Sequence, residues 1–171
     1  FRYLADGTID TSFNTTGGQL GTEGALLRSV YQTDGKPLIL FRSQNLQDAG
    51  VLRLHTSGAI DTSFFTDGYA TVNGVSFTWF ETLVLQPDGR PVMAGLDCED
   101  IDPGFGISCR NSYMLVRLRE NGSFDTSFGT TGRTKFFPAA NAPFGFHDLF
   151  LHPAGKFTGA VYTHFDHTLF G

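Results

Sequence analysis

Short apolar runs recur along the chain, each entered through a glycine turn. Lys36-Pro-Leu-Ile-Leu-Phe41, Arg90-Pro-Val-Met-Ala94 and Lys156-Phe-Thr-Gly-Ala-Val-Tyr162 follow Gly35, Gly89 and Gly155. Near-continuous apolar runs of this length predict strands buried on both faces. Val51–Leu54 and Tyr113–Leu118 predict strands running to turns at Ser57-Gly58 and Asn121-Gly122, where Asn-Gly supplies the positive φ of a tight hairpin. Ala70–Val72 and Thr134–Phe137 predict a further strand after Gly68 and Gly132, and Val30-Tyr31, Val84-Leu85 and Phe150-Leu151 end one before the next turn. No amphipathic helix of ten residues or more fits the pattern, so the fold class is all-β, built from four-stranded units.

The units repeat. Asp-Thr-Ser-Phe occurs three times, at Asp10–Phe13, Asp61–Phe64 and Asp125–Phe128. Arg2, Arg53 and Arg117 each precede the motif Asp by eight residues, and Gly7, Gly58 and Gly122 by three. A second block recurs as Gln32-Thr-Asp-Gly-Lys36, Gln86-Pro-Asp-Gly-Arg90 and His152-Pro-Ala-Gly-Lys156. From Gly35 to Asp61 is 26 residues and from Gly89 to Asp125 is 36, an excess of ten that matches the segment between Cys98 and Cys109. The 16 residues after Gly155 and the first ten of the chain together make 26. The chain is therefore expected to be one repeat domain with units at about 11–61, 62–125 and 126–171, the last completed by 1–10. About 50 residues and four short strands per unit is the arithmetic of a β-propeller blade.

The pattern Arg-x-Leu-x-x-x-Gly-x-x-Asp-Thr-Ser-Phe, followed by Gln-Pro-Asp-Gly-Lys/Arg, resembles the delta-60 repeat. Arg117–Gly132 is the best copy of the first block and Leu85–Arg90 of the second. The resemblance covers essentially the whole chain. It implies a β-propeller-like architecture in a large secreted or surface protein of bacteria, and brings no general enzymatic activity. His152-Pro-Ala-Gly departs from it by lacking the Asp, and Asn14 and Phe65 stand where the family usually has Gly.

Composition narrows the function. The net charge is −5, with 17% charged residues and no cluster of Lys and Arg, which argues against nucleic acid and anionic membranes. No apolar stretch approaches the roughly 20 residues of a membrane-spanning helix, so membrane insertion is not expected. Residue 1 is Phe, and the chain reads as a mature product or a portion of a longer one. Three units are fewer than the four to eight of ordinary propellers, so the expected partners are further repeats of a longer chain or other copies in a homo-oligomer.

Candidate chemistry falls into two sets. Arg2, Asp10, Phe13, Arg53, Asp61, Phe64, Arg117, Asp125 and Phe128 recur in every unit. Asp and Ser there are expected to bond nearby backbone N–H groups; Arg is expected to pair with a carboxylate or to stack. Cys98 and Cys109 bracket an acidic loop and are expected to form a disulfide, worth roughly 3 kcal/mol at most for a loop of this size; the alternative is two free thiols. A ligand site is expected where the repeats differ, and the third unit has the densest polar cluster: His147, Asp148, His164, Asp166 and His167. His164 and His167 would lie on opposite faces of an ideal strand, which argues against a shared metal. Glu99-Asp100-Ile101-Asp102 lacks the ligand ladder of a calcium loop, and no phosphate loop or nucleophile elbow is present. Asn14-Thr-Thr16 and Asn121-Gly-Ser123 match the glycosylation pattern but fall in repeat turns. No catalytic residue, metal or cofactor is assigned. The expected function is a non-enzymatic scaffold, adhesion or recognition module of a secreted or cell-surface protein with a protein or glycan ligand; the alternative is a carbohydrate-active or other hydrolase with its site in the His-rich third unit.

Overall fold

The computed structural model of the chain describes residues 2–13, 24–43, 49–72, 78–100, 109–137 and 145–162. These form ten strands: β1 Gly24–Tyr31, β2 Pro37–Ser43, β3 Ala49–Arg53, β4 Tyr69–Val72, β5 Thr78–Leu85, β6 Pro91–Asp100, β7 Cys109–Arg117, β8 Arg133–Phe136, β9 Gly145–Leu151 and β10 Phe157–Tyr162. They pair antiparallel as β1-β2-β3-β4, as β5-β6-β7-β8 and as β9-β10. The described third sheet thus holds two strands, the equivalents of β1-β2 and β5-β6. The repeats anticipated from the sequence run out of phase with the sheets: Asp61 and Asp125, at the unit boundaries, lie between β3 and β4 and between β7 and β8.

The ten-residue excess of the second repeat is a longer hairpin. β6 is three residues longer than β2, β7 is four longer than β3, and their connection is three longer than the one between β2 and β3. Its strands run through both cysteines, with Cys98 opposite Asn111 and Cys109 opposite Asp100. The cysteine side chains, and with them the expected disulfide, lie outside the described residues.

Each second-block turn closes through the same two backbone bonds. In the first, Gln32 N donates to Lys36 O at 3.0 Å and Gly35 N to Gln32 O at 2.9 Å. In the third, His152 N donates to Lys156 O and Gly155 N to His152 O, both at 2.8 Å. The missing Asp at position 154 removes the bond that Asp34 and Asp88 accept from the N–H two residues on, and their 3.6 Å approach to Lys36 and Arg90, but not the backbone bonds.

The sheets stack face to face. Leu38, Leu40, Val51 and Phe64 of the first pack on Phe80, Leu83, Met93, Met114 and Val116 of the second in one buried core. The other face of the second sheet, with Val92, Ala94, Tyr113 and Leu115, packs on Leu149 and Phe157 of the third. The other face of the first, with Leu52 and Leu54, receives Phe13. Side chains alternate across a strand, so the first halves of β2 and β6, Pro37–Phe41 and Pro91–Ala94, are apolar at successive positions because both faces are covered.

Candidate functional site

The motif residues converge within each copy. Arg53 Nε donates to Asp61 Oδ2 at 2.9 Å, Arg117 Nε to Asp125 Oδ2 at 2.8 Å and Arg2 Nε to Asp10 Oδ2 at 2.7 Å. The second oxygen of each Asp accepts the N–H and hydroxyl of the Ser two residues on. The Phe after that Ser lies under the guanidinium, 4.5 Å, 4.7 Å and 4.6 Å from the ring centroid for Phe13, Phe64 and Phe128. Carboxylate pairing and stacking therefore occur together. A planar guanidinium can bond at its edge and stack on its face, which Lys cannot do.

The second block reaches the same carboxylates, a link that spacing alone did not reveal. Lys36 Nζ lies 3.1 Å from Asp61 Oδ2 and Arg90 Nη1 3.0 Å from Asp125 Oδ2. The recurrent basic residue at the end of each second block was the available signal. Burial pushes the Asp61 carboxyl up, but the Ser63 hydroxyl, Lys36, the Ser63 N–H and Arg53 outweigh it and hold it well below the usual carboxylate range. For Asp125 the Ser127 hydroxyl leads, followed by burial in the opposite sense, the Ser127 N–H, Arg117 and Arg90, and the carboxyl is held down to about 2.

Successive motifs are also bonded to one another. Arg2 Nη1 donates to Thr56 O at 2.7 Å and Arg53 Nη1 to Glu120 O at 3.0 Å. Thr56 and Glu120 occupy the same place, three residues after the motif Arg. Phe65, where the repeat pattern has Gly, adopts the left-handed backbone (φ 46°) that Gly129 adopts at φ 55°. Its N–H donates to Asn121 O at 2.8 Å, and its ring meets Phe124 edge-on at 6.2 Å.

A family model described as "Domain of unknown function (DUF5122) beta-propeller" matches residues 32–64 and 111–128. These stretches hold the second block and β2–β3 of the first sheet together with the motif at Asp61, and most of β7 with the motif at Asp125. The repeats are β-propeller-like. No curated protein and no solved structure matches the chain.

Across these propeller repeats, Arg28, Thr82 and Asp148 hold equivalent positions on β1, β5 and β9, four residues before Gln32, Gln86 and His152. Each sits beside an irregularity of register, a device that re-aims side chains. Thr82 Oγ1 donates to Asp148 Oδ1 at 2.7 Å, and Arg28 Nε reaches Glu81 O at 3.4 Å. The Thr82 hydroxyl, then burial in the opposite sense, then the Leu149 N–H, Arg28 and His147 leave the Asp148 carboxyl below its ordinary value. Of the anticipated third-unit cluster, Asp148 is thus bonded to Thr82, with Arg28 and His147 both acting on its carboxyl; sequence reasoning did not single out Thr82 or Arg28. His164, Asp166 and His167 lie outside the described residues, as do Asp102 and the side chains of Glu99 and Asp100. Among the described residues no group of three or more His, Cys, Asp and Glu could hold a metal ion, and no helix is long and apolar enough to cross a membrane.

Proposed function

We propose that the chain is a non-enzymatic recognition or scaffold module of a secreted or cell-surface bacterial protein, whose ligand, a glycan or a protein, meets β1 and β9 at Arg28 and Asp148, the latter oriented by the buried Thr82. One observation carries this reading. The motif residues are the same in every repeat and are used to join blades, whereas the three equivalent positions on β1, β5 and β9 are a cation, a hydroxyl and an anion. A hydrogen-bonding set of mixed sign suits a polar ligand. Carboxyls held low, as Asp61, Asp125 and Asp148 are, suit ion pairing, whereas a general acid needs a raised pKa.

The test pairs binding with turnover. The chain and its Arg28→Ala/Asp148→Asn variant are screened on glycan and protein arrays and on chromogenic glycosides and esters. Binding by the parent, lost in the variant, is the expected result. Turnover that Asp148→Asn abolishes would sink the reading in favour of a hydrolase. The surface assignment expects the protein on intact cells to be cleaved by added protease; full protection would contradict it.

A further inference from the structure

We infer that the ligand of the site on β1 and β9 is a neutral pyranose unit of a glycan, stacked on the exposed ring of Trp79 and hydrogen-bonded through its hydroxyls to Arg28 and Asp148. This rests on the reading of Arg28 and Asp148 as a recognition site, and narrows the ligand from a glycan or a protein to one chemistry. Trp79 is the single Trp of the chain and is 42% exposed. It lies on β5 of the second sheet, which has the first sheet packed on one face and the third on the other. Ala25 and Gly145 hold the equivalent positions on β1 and β9. One repeat thus carries a large ring where the other two carry small residues, and leaves it partly in solvent.

The strand register sets this ring beside the polar groups. Trp79 lies opposite Leu96, and Thr82 opposite Ala94, two residues apart on β6. Leu96 and Ala94 both belong to the core shared with the third sheet, so Trp79 and Thr82 stand on that face, about 7 Å apart along the strand. In a regular strand two residues three apart point to opposite faces. The irregularity at Glu81, which has no partner on β6, is what brings Trp79 and Thr82 to the same one.

The polar groups there are only half used. Asp148 Oδ1 accepts the Thr82 hydroxyl at 2.7 Å and the Leu149 N–H at 2.9 Å, and Oδ2 has no hydrogen-bond partner among the described residues. Arg28 donates Nε to Glu81 O at 3.4 Å, and its Nη groups have no acceptor among the described residues. Arg28 and Asp148 therefore flank residues 81 and 82, with no ion pair between them among the described residues. A guanidinium left to donate and a carboxylate oxygen left to accept suit a ligand group that does both. A hydroxyl does, and neighbouring hydroxyls of one sugar ring serve two such partners at once. The C–H face of the sugar then meets the negative face of the indole. Charge selects a neutral sugar. Arg28 is the only Lys or Arg on β1, β5 and β9, which also carry Glu81 and Asp148, so a phosphate, a sulfate or a uronic acid would meet an excess of carboxylate.

The single Trp gives the experiment a reporter at the site. The full chain is titrated with the methyl glycosides of glucose, galactose, mannose and N-acetylglucosamine while tryptophan emission is read, and binding is measured in parallel by saturation-transfer NMR. At least one sugar is expected to shift the emission saturably, with the same affinity by both methods. Trp79→Ala is expected to weaken that binding by about tenfold, and Trp79→Phe, which keeps a ring to stack on, by less. Trp79→Phe also serves alone where Trp79→Ala fails to give the parent circular dichroism. Arg28→Ala/Asp148→Asn is expected to abolish binding. Sugar binding that Trp79→Ala leaves unchanged but Arg28→Ala/Asp148→Asn removes would overturn the stacking inference and spare the recognition site. Binding of a protein or of acidic glycans alone, lost in Arg28→Ala/Asp148→Asn, would do the same. Sugar binding that survives both sets of variants, or no binding of sugar or protein by the parent, would overturn both.

Discussion

The segments Arg2–Phe13 and Arg53–Phe64 share one pattern and one backbone, yet they stand in different surroundings. Both close the same turn, with Phe N donating to Asp O at 3.1 Å and 3.0 Å, and both hold Arg on Asp. Leu54, after the second Arg, is 0% exposed, whereas its equivalent Tyr3 is 60% exposed. Gly122 and Gly7 differ in the same way. A Cβ on Gly122 would lie 2.9 Å from the ring of Phe64 and 2.8 Å from Cβ of Phe65, while one on Gly7 would meet nothing within 4 Å. The motif is a local structure that forms wherever its residues occur. Its energetic weight comes from the blades on either side.

That comparison can be broken most directly at the core. Leu54→Ala removes a fully buried side chain and is expected to cost about 2–5 kcal/mol. Tyr3→Ala, at an exposed position, is expected to fall within about 0.5 kcal/mol. Urea denaturation of both variants measures the difference, and equal losses would mean that the first motif is covered in solution.

The arginines come next. Arg53→Ala leaves Asp61 buried without its guanidinium and is expected to cost on the order of 3 kcal/mol. Arg2→Ala opens a partly exposed pair and is expected to cost no more than about 1 kcal/mol. A loss below about 0.5 kcal/mol for Arg53→Ala would show that Lys36 suffices to hold Asp61. Gly122→Ala should follow. It meets both a left-handed backbone at φ 87° and the Phe64 ring, so its cost should exceed the roughly 1 kcal/mol expected for Gly7→Ala from backbone strain alone.

Acid sharpens the contrast further. The Asp125 carboxyl is held at about 2 in the folded chain, against roughly 3.9 when unfolded. The unfolded state binds more protons between these values, so stability is complete above about pH 5 and falls as the pH drops toward 2. Asp61, also depressed, acts in the same direction. Urea midpoints measured from pH 6 to pH 2 should decline, and Asp125→Asn should flatten the decline. A midpoint independent of pH over that range would contradict the pairing.

The smallest effect concerns backbone strain in the third motif. Thr131 is β-branched and sits at φ 54°, a region that costs such residues roughly 1–2 kcal/mol. Thr131→Asn is expected to raise stability by up to about 1 kcal/mol, since Asn tolerates that region. A lower melting temperature would mean that the Thr131 hydroxyl, which donates to Thr130 O at 2.7 Å, contributes more than the strain removes.

The strands were legible because their cause is local. Gly35, Gly89 and Gly155 fix the turns, and the runs after them are too apolar to lie anywhere but between two covered faces. The repeat of Arg, Asp, Ser and Phe was legible for the same reason, since its bonds span at most ten residues. Even Ala154, which departs from the pattern, does not disturb its turn, because the backbone bonds carry the geometry. What spacing could not reveal depends on three sheets being stacked. Lys36 meets Asp61 only because β2 and β3 are neighbours. Arg53 meets Glu120, and Phe65 meets Asn121, only across a blade junction. Arg28, Thr82 and Asp148 lie more than 50 residues apart in sequence, and only the packing of β1, β5 and β9 brings them near one another. The ten-residue excess was visible as a length, but whether it formed a loop or a longer hairpin was decided by pairing between β6 and β7. The chemistry of each residue is written locally; which residues share a site is set by the stacking of faces, and no local pattern encodes that.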